Sequence, residues 1–414
     1  MTTLPRANLL VSFVMATRNR RDVLLDTLGH IQRCGLRSEA FETIVVDNAS
    51  TDRTVAAVRE SFPGVTILEE PTNRGSCAKN LALPLAQGRL VMFLDDDSYP
   101  QPGSMQRVIR HFEADPGLGA AVFDVVLPDG SRECSAYPDV FIGCGTAFRK
   151  RALAQVGGLP EDFFMQAEEY DLSLRLLDAG WSIRRFDDVR VSHRKTQRSR
   201  CSGRTARLDA RNCVLLAARR FPSEWFRPFI RDWLGRYWLL ASASGHRLAM
   251  LTGALQGLVG ALNPFPRRPI KPATFDQFAR IGQIESTMRT AVREYRLKRV
   301  IFVDLGKNVF PFWLAAQRCG LKVVAIADNR LAPLNARYRG VPIVSDDVAL
   351  QMPFDGVIIA NLSPVHARAR RAQWRKSDVR PVLEVLESDF ECSLTISDAV
   401  RAASESRQTA ARIA

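Results

Sequence analysis

None of the eight cysteines stands in a CxxC pair, and their positions, 34, 77, 134, 144, 201, 213, 319 and 392, form no ladder of spacings. Neither a disulfide framework nor a zinc site is therefore expected, and a reducing cytoplasm is the favoured compartment. The N-terminus has no basic start and no small-residue cleavage site, and it enters a strand-like run directly after Asn8. An uncharged bilayer-spanning run is also missing. Arg236, His246 and Arg247 interrupt the apolar stretch from Trp233 to Leu262, and Thr252, Gln256, Asn263 and three glycines dilute Leu248 to Pro266. No recognised nucleic-acid module occurs, so no nucleic-acid partner is expected, and the GxGxxG dinucleotide fingerprint is absent.

What is present is a chain of 414 residues, 46% hydrophobic, enough for two or three globular domains. Its net charge of +14 favours anionic partners, and the excess is concentrated. Between Arg184 and Arg220 twelve Lys/Arg face three Asp, a local +9. This basic stretch is read as a solvated face, or as a loop over a diphosphate or an anionic lipid. Trp225, Phe226, Phe229, Trp233, Tyr237 and Trp238 interleave with Arg227, Arg231 and Arg236, a pattern suited either to a bilayer surface or to packing on a neighbouring domain.

Strand-like runs alternate with helical patterns through the first half, which predicts an α/β fold with a mostly parallel sheet. Strands are expected over 9–15, 41–46, 65–68 and 90–94, with helices over 20–34, up to Phe62, and over 75–87. Ligands of such sheets bind beyond the carboxyl ends of the strands. Thr17-Arg-Asn19, Asp47, Asn73-Arg-Gly75 and Asp95-Asp-Asp97 all lie at those ends. Three adjacent carboxylates repel one another, so a divalent cation, Mn²⁺ or Mg²⁺, is the simplest partner for the triplet, and it would in turn hold a diphosphate. A solvated Asp-rich turn is the alternative.

Val11-Ser-Phe-Val-Met-Ala-Thr-Arg-Asn-Arg20, Val45-Val-Asp-Asn-Ala-Ser-Thr-Asp52, Asn73-Arg-Gly-Ser-Cys-Ala-Lys-Asn80, Phe93-Leu-Asp-Asp-Asp97, Phe141-Ile-Gly-Cys-Gly-Thr-Ala-Phe-Arg149 and Gly157 through Trp181 resemble, in order, the motifs of family 2 glycosyltransferases of GT-A fold. The resemblance covers residues 9 to 220. It implies that Thr17, Asn19, Asp47, Arg74, Lys79 and Asp95 bind a nucleotide sugar, UDP-, dTDP- or GDP-linked. Lys79 stands where an arginine is common. Asp95 and Asp97 would form the DxD pair on the metal, with His193 either a further ligand or a structural histidine. Asp96 is expected to point away along an extended backbone. Gly145 and Glu168 fall on the acceptor side, and Glu169 takes the place of the usual catalytic aspartate, the base for an inverting displacement.

After the Pro-rich stretch 264–272 the pattern restarts. A strand running into a turn over 299–306 and strands over 322–328, 341–344 and 356–360 predict a smaller Rossmann-like domain, with Asp328 where a ribose-binding acid would sit. Its role is ligand binding or scaffolding. The expected organisation is a catalytic domain over 1–220, a helical, membrane-surface or packed, connector over 221–272, a Rossmann-like α/β domain over 273–400 and a tail over 401–414. The expected activity is metal-dependent transfer of a hexosyl or deoxyhexosyl group to a hydroxyl of a glycan or lipid-linked acceptor of the cell surface. It would take place in the cytoplasm, with peripheral contact to the anionic inner membrane face. A donor-binding inactive scaffold and a basic nucleic-acid-binding protein are the alternatives.

Overall fold

β1 (Val11–Thr17) is covered along its length, which is why its sequence runs apolar without alternation. Around it α1 (Arg21–Gln32), β2 (Phe41–Asn48), α2 (Thr54–Ser61), β3 (Thr66–Glu70) and β4 (Leu90–Phe93) build the parallel order β3-β2-β1-β4. β5 (Ser98–Pro100), α3 (Ser104–Ala114), β6 (Leu118–Val126), β7 (Arg132–Glu133), β8 (Thr146–Arg149), α4 (Lys150–Val156), α5 (Glu168–Asp178) and β9 (Ser182–His193) complete the first sheet. β8 runs antiparallel to β4 and β6, while β9 runs parallel to β6 and antiparallel to β5. One face is closed by Leu24, Leu28, Val108 and Phe112, the other by Ala78, Leu153, Leu172 and Leu176. The fold class is thus the expected mixed α/β. This computed structural model describes residues 9–195, 202–262, 267–377 and 380–385; the tail, the end of the Rossmann-like domain, Pro264 to Pro266 and Arg198 to Cys201 of the basic stretch lie outside them.

One expected helix does not form. Residues 75–87 hold a 3₁₀ segment, Gly75–Ala82, followed by turns. Pro84 removes the N–H that an α-helix would direct at Asn80 and its ring clashes with that turn. The segment is also anchored sideways, since Asn80 Oδ1 accepts from Leu159 N and its Nδ2 donates to Leu159 O, both at 2.8 Å.

α6 (Gly203–Arg220), α7 (Ser223–Ser244), α8 (Arg247–Leu262), α9 (Pro272–Ala279) and α10 (Ile281–Tyr295) connect the two sheets. The second sheet follows with β10 (Arg299–Val303), α11 (Val309–Arg318), β11 (Lys322–Ala327), β12 (Arg337–Tyr338), β13 (Val341–Val344), α12 (Asp346–Leu350), β14 (Gly356–Ile359), α13 (Pro364–Ser377) and β15 (Val382–Leu383). Its order is β12-β13-β11-β10-β14-β15, parallel except for β12. A single apolar cluster joins Tyr137 and Leu174 of the first half to Phe221, Trp233 and Phe278 of the connecting helices and to Phe302 and Ile358 of the second sheet.

The aromatic face of α7 belongs to that cluster. Phe229, Trp233 and Tyr237 are buried, so of the two readings of this segment the packed one describes those rings. Trp233 lies edge-on to Phe221 at 5.4 Å and donates its indole N–H to Lys307 O at 2.8 Å. The turn after β10, where a dinucleotide would approach, is itself filled. The Lys307 ammonium sits 3.9 Å from the Tyr170 ring centroid and 4.8 Å from that of Trp233, and Asn308 Nδ2 donates to Ala136 O. Asp328 accepts from Leu305 N, Arg330 N and Leu331 N, so its carboxylate serves the local turns. Trp233→Ala should cost about 3–5 kcal/mol through the cavity it opens, read as a lower urea midpoint by circular dichroism.

Candidate active site

The site grows from strand ends. Ser98 pairs with His193 in the β5–β9 ladder, and this register sets His193 beside Asp97, ninety-six residues earlier in the chain. Asp97 Oδ1 lies 3.2 Å from His193 Nε2, and Oδ2 accepts from Arg20 Nη2 at 2.7 Å. The other imidazole nitrogen meets Glu133 Oε2 at 3.1 Å, and Glu133 Oε1 accepts from Lys195 at 2.7 Å. Burial on its own would raise Asp97, but His193 and Arg20 outweigh it and hold the carboxyl down at about 2. Burial likewise pulls His193 down, while its hydrogen bonds to Asp97 and Cys144 win and push it up to about 10.

Asp95 is half-exposed, and its Oδ1 accepts from Lys79 Nζ at 2.9 Å. Lys79 is buried, and a buried ammonium needs a carboxylate and further acceptors; Gly143 O, at 3.0 Å, supplies one. Lys79 therefore faces Asp95. Asp96 departs from the extended geometry expected of it. Residues 96 and 97 form a turn closed by Ser98 N donating to Asp95 O at 3.1 Å, so Asp96 does not alternate away. Its Oδ2 accepts from Thr17 Oγ1 at 2.8 Å, and Oδ1 lies 3.2 Å from Arg20 Nε. Burial pushes Asp96 up to about 6, against the pull of Arg20. Thr17 thus reaches the rim through Asp96.

Asp47 lies on the same rim. Oδ2 accepts from Ser50 N at 2.9 Å, whereas Oδ1 is buried and has no partner among the described residues. A buried carboxylate oxygen left unpaired is costly, and a donor from a bound base would satisfy it. Asn19, at φ +52, braces this loop by accepting from Thr51 N at 2.7 Å. Arg74 pairs with Glu70 at 3.1 Å and stays exposed at the mouth.

The opposite wall is the start of α5. Phe164, Gln166 and Ala167 have φ of +68, +73 and +64, strain of the kind that persists only where surroundings enforce it. The enforcing group is Asn212 of α6, fully buried, whose two Nδ2 hydrogens are shared among Phe163 O, Met165 O and Gln166 O, all at 2.8–2.9 Å. Glu168 accepts from Ser76 Oγ. Glu169 is driven well above the usual carboxylate range, first by burial and then by the charge of Glu168.

Between the walls lies Gly143. A Cβ there would stand 3.6 Å from Glu169 Oε1 and 3.9 Å from Lys79 Nζ, so this glycine leaves open the space between the Glu169 carboxyl and the Lys79 ammonium. Gly145, the expected acceptor-side glycine, packs on Val125 and Val191, where a Cβ would meet Val125 Cγ2, Val191 Cβ and Val191 Cγ2 at 3.2–3.3 Å. Cys144 was not singled out by the sequence pattern, yet its Sγ lies with Asp95 and His193 in a group whose ligand atoms are all within 4.8 Å of one another. Carboxylates, imidazole and a thiol in one pocket suit a divalent cation. Asp97, His193 and Asp95 are the residues that would hold it. Glu133, Arg20 and Asn212 also belong to the site: Arg20 closes the first motif, whereas Glu133 and Asn212 lie in none and carry no local signal.

Residues 12–135 match the family described as glycosyl transferase family 2. An uncharacterized glycosyltransferase of Haemophilus influenzae is 34% identical over 82 residues, 20% of this chain and 28% of that protein. The poly-beta-1,6-N-acetyl-D-glucosamine synthase of Staphylococcus aureus is 26% identical over 200 residues, 42% of this chain and 47% of the synthase. In both cases the chain spans less than half of the relative's length. Among solved structures, a Pyrobaculum calidifontis mannosyltransferase in complex with GDP-Man and Mn²⁺ is 21% identical, with a TM-score of 0.44 over 76% of this chain and 88% of that one. The segment that builds the rim of strand ends, residues 12–135, is thus the part of the chain that is similar to glycosyl transferase family 2.

Proposed function

We propose that this protein is an inverting glycosyltransferase that moves a hexosyl or deoxyhexosyl group from a UDP-, dTDP- or GDP-sugar to a hydroxyl of a cell-surface glycan or lipid-linked acceptor in the cytoplasm. The observation that carries this is the opposition, across Gly143, of a metal-suited carboxylate–imidazole cluster and a buried glutamate with a raised pKa. Asp47 Oδ1 would accept from the base, and Arg74 at the mouth would meet the diphosphate. Asp97, His193 and Asp95 would hold Mn²⁺ or Mg²⁺, which supplies charge neutralisation of the departing nucleotide. Glu169 would take the proton of the acceptor hydroxyl as that oxygen attacks the anomeric carbon from the face opposite the nucleotide, and inversion follows from that direct displacement. Ser76 keeps Glu168 oriented beside it, and Glu168 in turn raises the basicity of Glu169.

A thermal-shift panel of UDP-, dTDP-, GDP- and CMP-sugars with and without Mn²⁺ tests the donor half of this reading. At a hundredfold excess over Kd one nucleotide class should stabilise by about 2.7 kcal/mol, and only with metal. Indifference to every nucleotide would remove the proposal.

A further inference from the structure

Of the nine large apolar side chains exposed among the described residues, six lie on α8: Leu248, Leu251, Leu255, Leu258, Val259 and Leu262. Their exposures reach 78% at Leu248, 64% at Leu255 and 86% at Leu262. At 100° per residue these positions cover an arc of about 100°, a single stripe along the helix. Soluble surfaces scatter such residues singly, and a contiguous stripe marks a contact surface. The stripe cannot turn inward, because the opposite face is locked. Met250, Gly253, Ala254 and Gly257 are buried against α6. A Cβ on Gly253 would stand 2.0 Å from Arg207 O, and one on Gly257 2.7 Å from Arg211 O.

The surroundings of the stripe are cationic. From residue 233 to residue 275 the sequence holds no Asp or Glu but has Arg236, Arg247, Arg267, Arg268 and Lys271. Arg247 is exposed at the start of α8, with its guanidinium 5.3 Å from the ring of Trp238, another exposed apolar residue. Arg267 and Arg268 are exposed just beyond its end, and Arg207 is exposed on the α6 turn under Gly253. Two copies paired through this stripe would bring arginines to arginines, with no carboxylate on α8 to answer them. A surface of apolar chains beneath anionic headgroups complements both the stripe and its rim. No helix among the described residues is long and apolar enough to cross a membrane, and a helix of sixteen residues lies along a surface instead.

We infer that α8 is a docking helix that seats this protein on a bilayer carrying anionic lipid, with the leucine stripe entering the acyl boundary. The inference stands apart from the glycosyl-transfer reading, since lipid binding can be measured without donor, acceptor or metal. The test is co-sedimentation of the full chain with phosphatidylcholine vesicles with and without phosphatidylglycerol. Binding should require phosphatidylglycerol, weaken in high salt, and fall at least about tenfold in Leu251→Glu/Leu255→Glu, because the variant withdraws two apolar side chains from the acyl boundary. Both positions are exposed, so circular dichroism and the thermal midpoint should not move. Failure to bind the anionic vesicles, or equal binding by the variant, overturns the inference. So does a dimer in light scattering that the variant converts to monomer, since α8 would then be covered by a second copy.

Discussion

Glu169→Gln is expected to lower turnover by about 10²–10⁴-fold while leaving nucleotide binding within about twofold, because removing a positioned general base forfeits that factor and nothing else. The geometry separates the two effects. Glu169 lies on the α5 side of Gly143, whereas Asp47, with the free oxygen that would receive a base, is on the rim beyond β2. Burial and the charge of Glu168 raise Glu169 well above its ordinary 4.5, so the wild-type rate should rise with pH through that raised value, and the variant should lose this limb. The sign for stability is opposite. A carboxyl raised on folding contributes fully below 4.5 and loses that contribution as pH rises through the folded value. Near neutrality Glu169→Gln should therefore unfold at the same temperature as the wild type or higher. Unchanged turnover in a folded Glu169→Gln protein would remove Glu169 from the mechanism.

Asp97→Asn is expected to cost about 10²–10³ in rate, the usual effect of removing one group that stabilises developing charge, and to abolish the response to Mn²⁺. Asp97 is the carboxylate shared by His193 and Arg20, so its neutralisation also breaks a buried pair, at about 3–5 kcal/mol. The linkage signs agree with that arrangement. Asp97, lowered to about 2, contributes above 3.8 and loses this as pH falls through 2; His193, raised to about 10, contributes below 6.5 and loses this as pH rises through 10. At pH 7 the metal-free site holds a protonated His193, and a cation bound there must displace that proton. Calorimetric titration of Mn²⁺ in two buffers of different ionisation enthalpy should therefore show about one proton released. No proton release, with metal still bound, would take His193 out of the ligand set.

The rim was readable because each of its members lies at the end of a strand whose apolar run is local information. Asp47 closes Phe41–Asn48 and the aspartate triplet follows Leu90–Phe93, so hydrophobic periodicity alone placed them at one edge. The second sheet was readable for the same reason. Where local pattern misled, a long-range partner had decided the geometry. Gly145 looked like the acceptor-side glycine, but Val125 and Val191 claim it and leave Gly143 at the cleft. The triplet looked extended, but Ser98 closes a turn that sends Asp96 to Thr17 and Arg20.

The connecting helices mark the division most sharply. The aromatic–arginine pattern of α7 and the apolar run of α8 are both visible in the sequence, which shows where apolar residues stand without showing what covers them. In the folded chain Phe229 packs edge-on to Phe310 and Trp233 and Tyr237 close around Lys307, while Gly253 and Gly257 draw α8 so tightly onto α6 that its leucines face outward. The positions of the strands along the chain, the charge concentration and the polar residues at the strand ends were thus determined by the sequence itself, because they rest on neighbours in the chain. The tertiary structure alone decided which carboxylate His193 meets, which glycine opens the cleft and which helix presents its apolar face, because each depends on contacts between residues far apart in the chain.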